Sequence, residues 1–105
     1  DNLVLNSPIT SLSGETITEL QFDFQGLKPR DYREMVKLES RLKGAPSVQD
    51  QIQTKKTSPE FRMSAAWIAA VKGTKGICLD DIDSINVLDM LELEEIGLLF
   101  FAQLG

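Results

Sequence analysis

Apolar and polar residues alternate over the first 25 positions, and a helical period then takes over. LVL (Leu3 to Leu5) is a short apolar strand, and Pro8 interrupts it, as an edge strand tolerates. Ser13-Gly14 signals a turn. In TITELQFDF (Thr16 to Phe24), Leu20, Phe22 and Phe24 face one way, and Glu19, Gln21 and Asp23 face the other. That is a half-buried strand with one wet face. Ile17 is out of phase with Leu20, which places a bulge near Thr18. A lone hairpin is marginally stable in water, so its apolar face needs helices or another chain to cover it.

Gly26 ends the strand, and the spacing predicts a helix over residues 28–43. Pro29 suits the first turn, Asp31 the positive end of the dipole and Gly44 the stop. Met35, Leu38 and Leu42 form its stripe, with Tyr32 and Val36 beside it and Arg33, Glu34, Lys37 and Arg41 pointing away. Arg30/Glu34 and Glu39/Lys43 are spaced as i,i+4 ion pairs. Residues 45–58 are polar and aperiodic and read as a loop, in which Val48 and Ile52 anchor a short turn. The next helix, 59–72, has Ser58 as N-cap, Pro59 in its first turn and Gly73 as its end. Trp67, Ile68 and Val71 make it bulky on one side, while Ala65, Ala66, Ala69 and Ala70 permit close approach. It is apolar nearly all round after Arg62, as a central, buried helix is. A tight connection from Gly73, with a short helical turn after Asp80, leads to a last helix over 86–104, where Asn86 and Asp89 suggest a capping box.

That last helix changes character along its length. Its first half has a polar side of Asp89, Glu92 and Glu95, whereas from Ile96 onward Gln103 is the polar exception. Leu99 follows Glu92 by seven residues, about 20° off the same line, so the polar face of the first half turns apolar in the second. Either the tail tucks into the core of its own domain, or it is a surface for self-association or a partner. The partner reading nominates Ile96, Leu99, Phe100, Phe101 and Leu104, rimmed by Glu92, Glu94 and Glu95.

Composition narrows the function classes. The chain has 105 residues, enough for one domain with a modest core, here expected to be α+β: an N-terminal β-hairpin on three main helices. Its net charge of -5 speaks against nucleic acid, which needs a basic patch; the adjacent pair Lys55-Lys56 reads as solvated loop. The longest apolar run, Ile96 to Ala102, is too short to span a bilayer, and no signal peptide is visible. The first residue is Asp1, not Met, so the true start is left open by the sequence. A single cysteine, Cys78, precludes an intrachain disulfide and suits a reducing cytoplasm. Cys78 is expected to be a small buried residue.

The absence of histidine removes the usual neutral-pH base, zinc ligand and catalytic triads. From Asp81, acids fall at calcium-loop positions 1, 3, 9 and 12, but Ile85 and Asn86 stand where oxygen and glycine are needed. GTKG (Gly73 to Gly76) lacks the ending and preceding strand of a phosphate loop, and a helix end plus a turn explains both glycines. Trp67 on an Ala-rich helix reads as core. No catalytic constellation emerges, and neither a cofactor nor a metal is expected.

The order of motifs resembles a known family. SPIT (Ser7 to Thr10), SGETITEL (Ser13 to Leu20), KPRDYREMVKLE (Lys28 to Glu39), the Ala-rich helix closing on a glycine and Ile77, and LDDIDSINVLDML (Leu79 to Leu91) are similar to the small tail assembly chaperones of tailed phages and phage-derived tail-like particles. The resemblance implies a hairpin packed on a few helices and no enzymatic activity. It implies a protein of the host bacterial cytoplasm that holds the helical tape measure protein, with the tail tube protein as a further candidate partner. Several such proteins also have a longer, frameshifted form. The long polar loop, residues 45–58, departs from the family pattern. The rival readings are a structural homo-oligomeric subunit of such a particle and a small regulatory adapter.

Overall fold

The computed structural model describes residues 2–44 and 57–104, with the side chain of Leu104 outside that description. Most of the predicted 45–58 loop, including Val48, Ile52 and the Lys55-Lys56 pair, therefore lies outside the described residues. The architecture is α+β, a two-stranded antiparallel hairpin followed by helices, as the periodicity predicts. The elements are β1 (Asn2–Thr10), β2 (Thr16–Gln21), α1 (Pro29–Lys43), α2 (Pro59–Gly73), a 3-10 turn (Leu79–Ser84) and α3 (Val87–Leu104).

The hairpin departs from its sequence reading at both ends of the pattern. β1 runs through Pro8 instead of ending near Leu5. Val4 pairs with Glu19 and Ile9 with Ile17, so Leu5 to Pro8 loop out opposite Thr18. The bulge expected near Thr18 thus lies in the partner strand, where Pro8 needs no ladder hydrogen bond. It brings Leu5, Ile9, Ile17 and Leu20 onto one buried face despite their mixed phase. β2 stops at Gln21, because its continuation docks on α2: Gln21 N donates to Thr74 Oγ1 (2.9 Å) and Asp23 N to the Ala69 carbonyl (3.0 Å). Phe22 and Phe24 keep the predicted facing and are half-buried.

α2 is the central helix. Every residue from Ser64 to Ala70 is buried, and α1 and α3 pack against it. Ser58 caps it by accepting from Phe61 N (3.0 Å). Trp67 is fully buried in the core with Leu20, Leu38, Ile82 and Leu93, and its indole N–H donates to the Leu79 carbonyl (2.9 Å). That bond satisfies the polar atom that otherwise makes a buried Trp costly. On α1, Met35 and Leu38 are buried as the stripe requires. The Glu39–Lys43 pair forms at 3.3 Å, whereas Glu34 meets Lys37 at 3.6 Å in place of the predicted Arg30.

Three aspartates tie the elements together, each by accepting hydrogen bonds from backbone N–H groups. Asp31 accepts from Lys28 N (2.7 Å) and meets Lys72 Nζ (3.2 Å), joining α1 to the end of α2. Asp81, 1% exposed, accepts from Leu12 N and Cys78 N, both at 2.8 Å, and pins the hairpin turn to the 3-10 turn. Asp89, fully buried, accepts from Asn6 N (2.7 Å), Asn6 Nδ2 (2.9 Å) and Ser7 N (3.2 Å), the donors that the bulge removes from the ladder. Burial works to raise the Asp31 and Asp81 carboxyls. Against it, the Lys28 N–H with Lys72 and Arg30, and the Cys78 and Leu12 N–H groups, win and hold both below the ordinary aspartate value.

Two expectations are overturned here. Asn86 and Asp89 form no capping box: Asn86 Oδ1 accepts from Leu88 N (2.8 Å), while Asp89 turns inward to β1. Cys78 is exposed, not buried. It stands at the N-cap of the 3-10 turn, where its backbone N–H bonds Asp81 and its exposed side chain pairs with Asp81 in a capping box.

Candidate functional site

α3 is apolar on more than one side, and the fold can cover only part of it. Its inner edge is set by Asp89, Leu93 and Gly97, all buried, which follow one another at four-residue spacing. At Gly97 the helix lies so close to α2 that a Cβ there would be 2.2 Å from the Arg62 carbonyl oxygen. Arg62 holds the same junction from its other end: its Nε donates to Glu94 (3.1 Å) and its Nη1 to the Thr57 carbonyl (2.6 Å). The inner edge is therefore fixed by a glycine contact and an ion pair on α2, and by Asp89 on β1.

The outer face follows by elimination. Val87, Leu88, Leu91, Leu98 and Leu99 are 47–72% exposed. At about 100° per residue they share an arc of about 140° with Glu92 and Glu95, both also exposed. Exposed single leucines are ordinary, but five exposed apolar side chains on one helix face, parted at its middle by Glu92 and Glu95, are the form an interaction surface takes.

Beside this stripe, a groove of about 900 Å³ opens between α3 and the segment after β2. Its floor is aromatic: Phe24 stacks on Phe100 at 4.3 Å between ring centres, and Phe22 lies 5.9 Å from Phe24. Asn2, Asp23, Gln25 and Gln103 supply polar lining. Leu99 belongs to both features, for it is 63% exposed and also lines the groove.

The five residues nominated from the sequence are distributed over distinct environments. Leu99 lies on the exposed stripe; Ile96 and Phe100 are half-buried and line the groove. Phe101 turns the other way, to Phe61 at 5.7 Å and the small cluster of Met35, Ala65 and Ile68. The side chain of Leu104 is outside the described residues. Sequence reasoning missed Val87, Leu88, Leu91 and Leu98, because it took Asp89 as part of the solvent face. Gly97 was a hint, since a glycine inside a helix costs stability without a packing reason, but the sequence does not name the neighbour that it packs against.

The remaining candidate chemistry is used within the fold. Asp81 and Asp89 bind backbone amides, and Asp80 and Asp83 flank Arg41 at 3.3 and 3.2 Å. Gly73 faces the Gln21 carbonyl at a distance that leaves no room for a Cβ, and Gly76 has φ +93, so both glycines serve packing and turn. Among the described residues no group of acidic or cysteine side chains is arranged to hold a metal ion. Among them, too, no helix is long and apolar enough to cross a membrane. No protein-family model matches the chain, and neither does any curated protein or solved structure.

Proposed function

We propose that the protein is a non-enzymatic tail assembly chaperone that holds an apolar, helical segment of the tape measure protein on the outer face of α3. The observation that carries this reading is the exposed stripe of Val87, Leu88, Leu91, Leu98 and Leu99 on a helix whose other edge is anchored. Amphipathic helices lay their apolar edge on surfaces of this kind, with anchors at i, i+3/i+4 and i+7. Anchoring of the inner edge supports reversible capture, because a partner can come and go without unpacking the core. The motif order from Ser7 to Leu91 supplies the identity of the partner in this reading.

Co-expression with a tape measure protein encoded nearby, followed by pull-down and sizing, tests the proposal. Leu91→Ser and Leu98→Ser are the informative variants, because both side chains are exposed and their loss leaves the core intact. A soluble complex that both variants abolish, with unchanged circular dichroism, is the expected result. No complex, together with an oligomer of this chain that survives dilution, would replace the chaperone reading with a structural subunit.

A further inference from the structure

Val87–Leu104 contains no lysine or arginine. The charged groups on its outer face are Glu92 and Glu95, both exposed and set among the leucines of the stripe. The face is thus apolar with negative charge at its middle, on a chain whose net charge is -5. Resting on the binding reading above, we infer that the occupant of this face is a basic amphipathic helix of another protein, not a second copy of this chain.

Charge complementarity separates the two occupants. Parallel pairing of two copies sets Glu92 and Glu95 against their own equivalents. Antiparallel pairing over the full helix has its two-fold axis near Glu95, which again meets itself. Like charges in direct opposition are penalised as water is excluded from between them. A partner helix with a Leu-type stripe flanked by Lys or Arg meets Glu92 and Glu95 with opposite charge instead. It also has a place for its end. The stripe runs through Leu99 into the aromatic groove, where a bulky apolar side chain of the partner reaches Phe24 and Phe100. A buried anchor in a pocket, flanked by polar rim groups such as Asp23 and Gln103, is how helix-in-groove recognition gains specificity.

The test uses the full chain and two fluorescent peptides of about 20 residues, long enough for helix formation. They share one leucine stripe and differ only in Lys or Glu at the flanking positions. Anisotropy titrations at low salt should give binding about tenfold tighter for the Lys peptide, shrinking as salt screens the pairs. The Glu92→Lys, Glu95→Lys variant should invert the preference. Glu92→Gln with Glu95→Gln should erase it, which guards against a fold defect in the charge reversal.

Equal binding of both peptides to the unmodified chain overturns the inference about charge and leaves the co-expression test of α3 standing. Failure of both peptides, with concentration-dependent self-association that Leu98→Ser abolishes, assigns the face to a second copy. Failure of both peptides with a monomeric chain also overturns it, since no basic helix of this class is then held.

Discussion

Gly97→Ala sets two effects of opposite sign against each other. Replacing glycine by alanine inside a helix favours folding by about 1 kcal/mol, because the unfolded chain has less freedom to lose. At Gly97 the new methyl would stand 2.2 Å from the Arg62 carbonyl oxygen, 2.7 Å from its carbon and 3.0 Å from its Cα. Those atoms are backbone, so no side-chain rotation clears them. α3 must move off α2 by about 1 Å, and a gap of that size forfeits up to about half of each dispersion contact it opens. The helix cannot pivot freely, because Asp89 ties it to β1 and the Arg62–Glu94 pair holds it one turn away. Overpacking of this kind costs about 1–3 kcal/mol and occasionally more. With rigid backbone on the far side, the upper part of that range applies, and the net expectation is destabilisation of about 1–2 kcal/mol. Urea unfolding followed through Trp67, which is fully buried, is the assay. The midpoint should fall with an unchanged slope, which separates lost stability from a change in compactness. Ser40→Ala on the exposed side of α1 is the control without a clash, with a propensity gain about half that of glycine to alanine. A Gly97→Ala protein stabilised like Ser40→Ala would refute the close approach of α2 and α3, and with it the assignment of the inner and outer faces.

Other consequences are simpler. Asp89→Ala removes the acceptor of three hydrogen bonds from Asn6 and Ser7 and, at about 1 kcal/mol for each bond, should cost about 3 kcal/mol. Hydrogen exchange at Asn6 and Ser7 should then accelerate more than at Ile17 in β2, and equal acceleration would count against the staple. Asp31 and Asp81 both titrate below the ordinary aspartate value, so the stability they contribute is complete above about pH 4 and is lost as pH falls through their depressed folded values. Acid unfolding of Asp81→Asn should show a shallower loss in that window than the unmodified chain, and an equal slope would exclude Asp81 from the linkage. Cys78, being exposed, should react with a maleimide in the native state, and Cys78→Ser should change stability by less than about 0.5 kcal/mol. Labelling that requires denaturant would contradict the placement of Cys78.

What the sequence determined by itself is local. The helix starts at Pro29 and Pro59, the Ser58 cap, the turn at Ser13-Gly14 and the alternation of Leu20, Phe22 and Phe24 all follow from residues within a few positions of one another. The central place of α2 was legible as well, since a helix apolar nearly all round has to be surrounded. The orientation of α3 was not. Its composition offers two apolar faces, and periodicity carries no information on which of them turns inward. That choice rests on the approach of Gly97 to Arg62 and on Asp89, whose acceptors are filled by donors 82 and 83 positions away in a bulge that sequence reading assigned to the other strand. Once Asp89 satisfies those amides, the polar residue lies inside and the leucines outside. A buried carboxylate is costly unless hydrogen-bonded, and the Asn6 and Ser7 donors are the partners that let Asp89 face inward. Tertiary structure alone decided this inversion, and it is what leaves the leucines of α3 exposed.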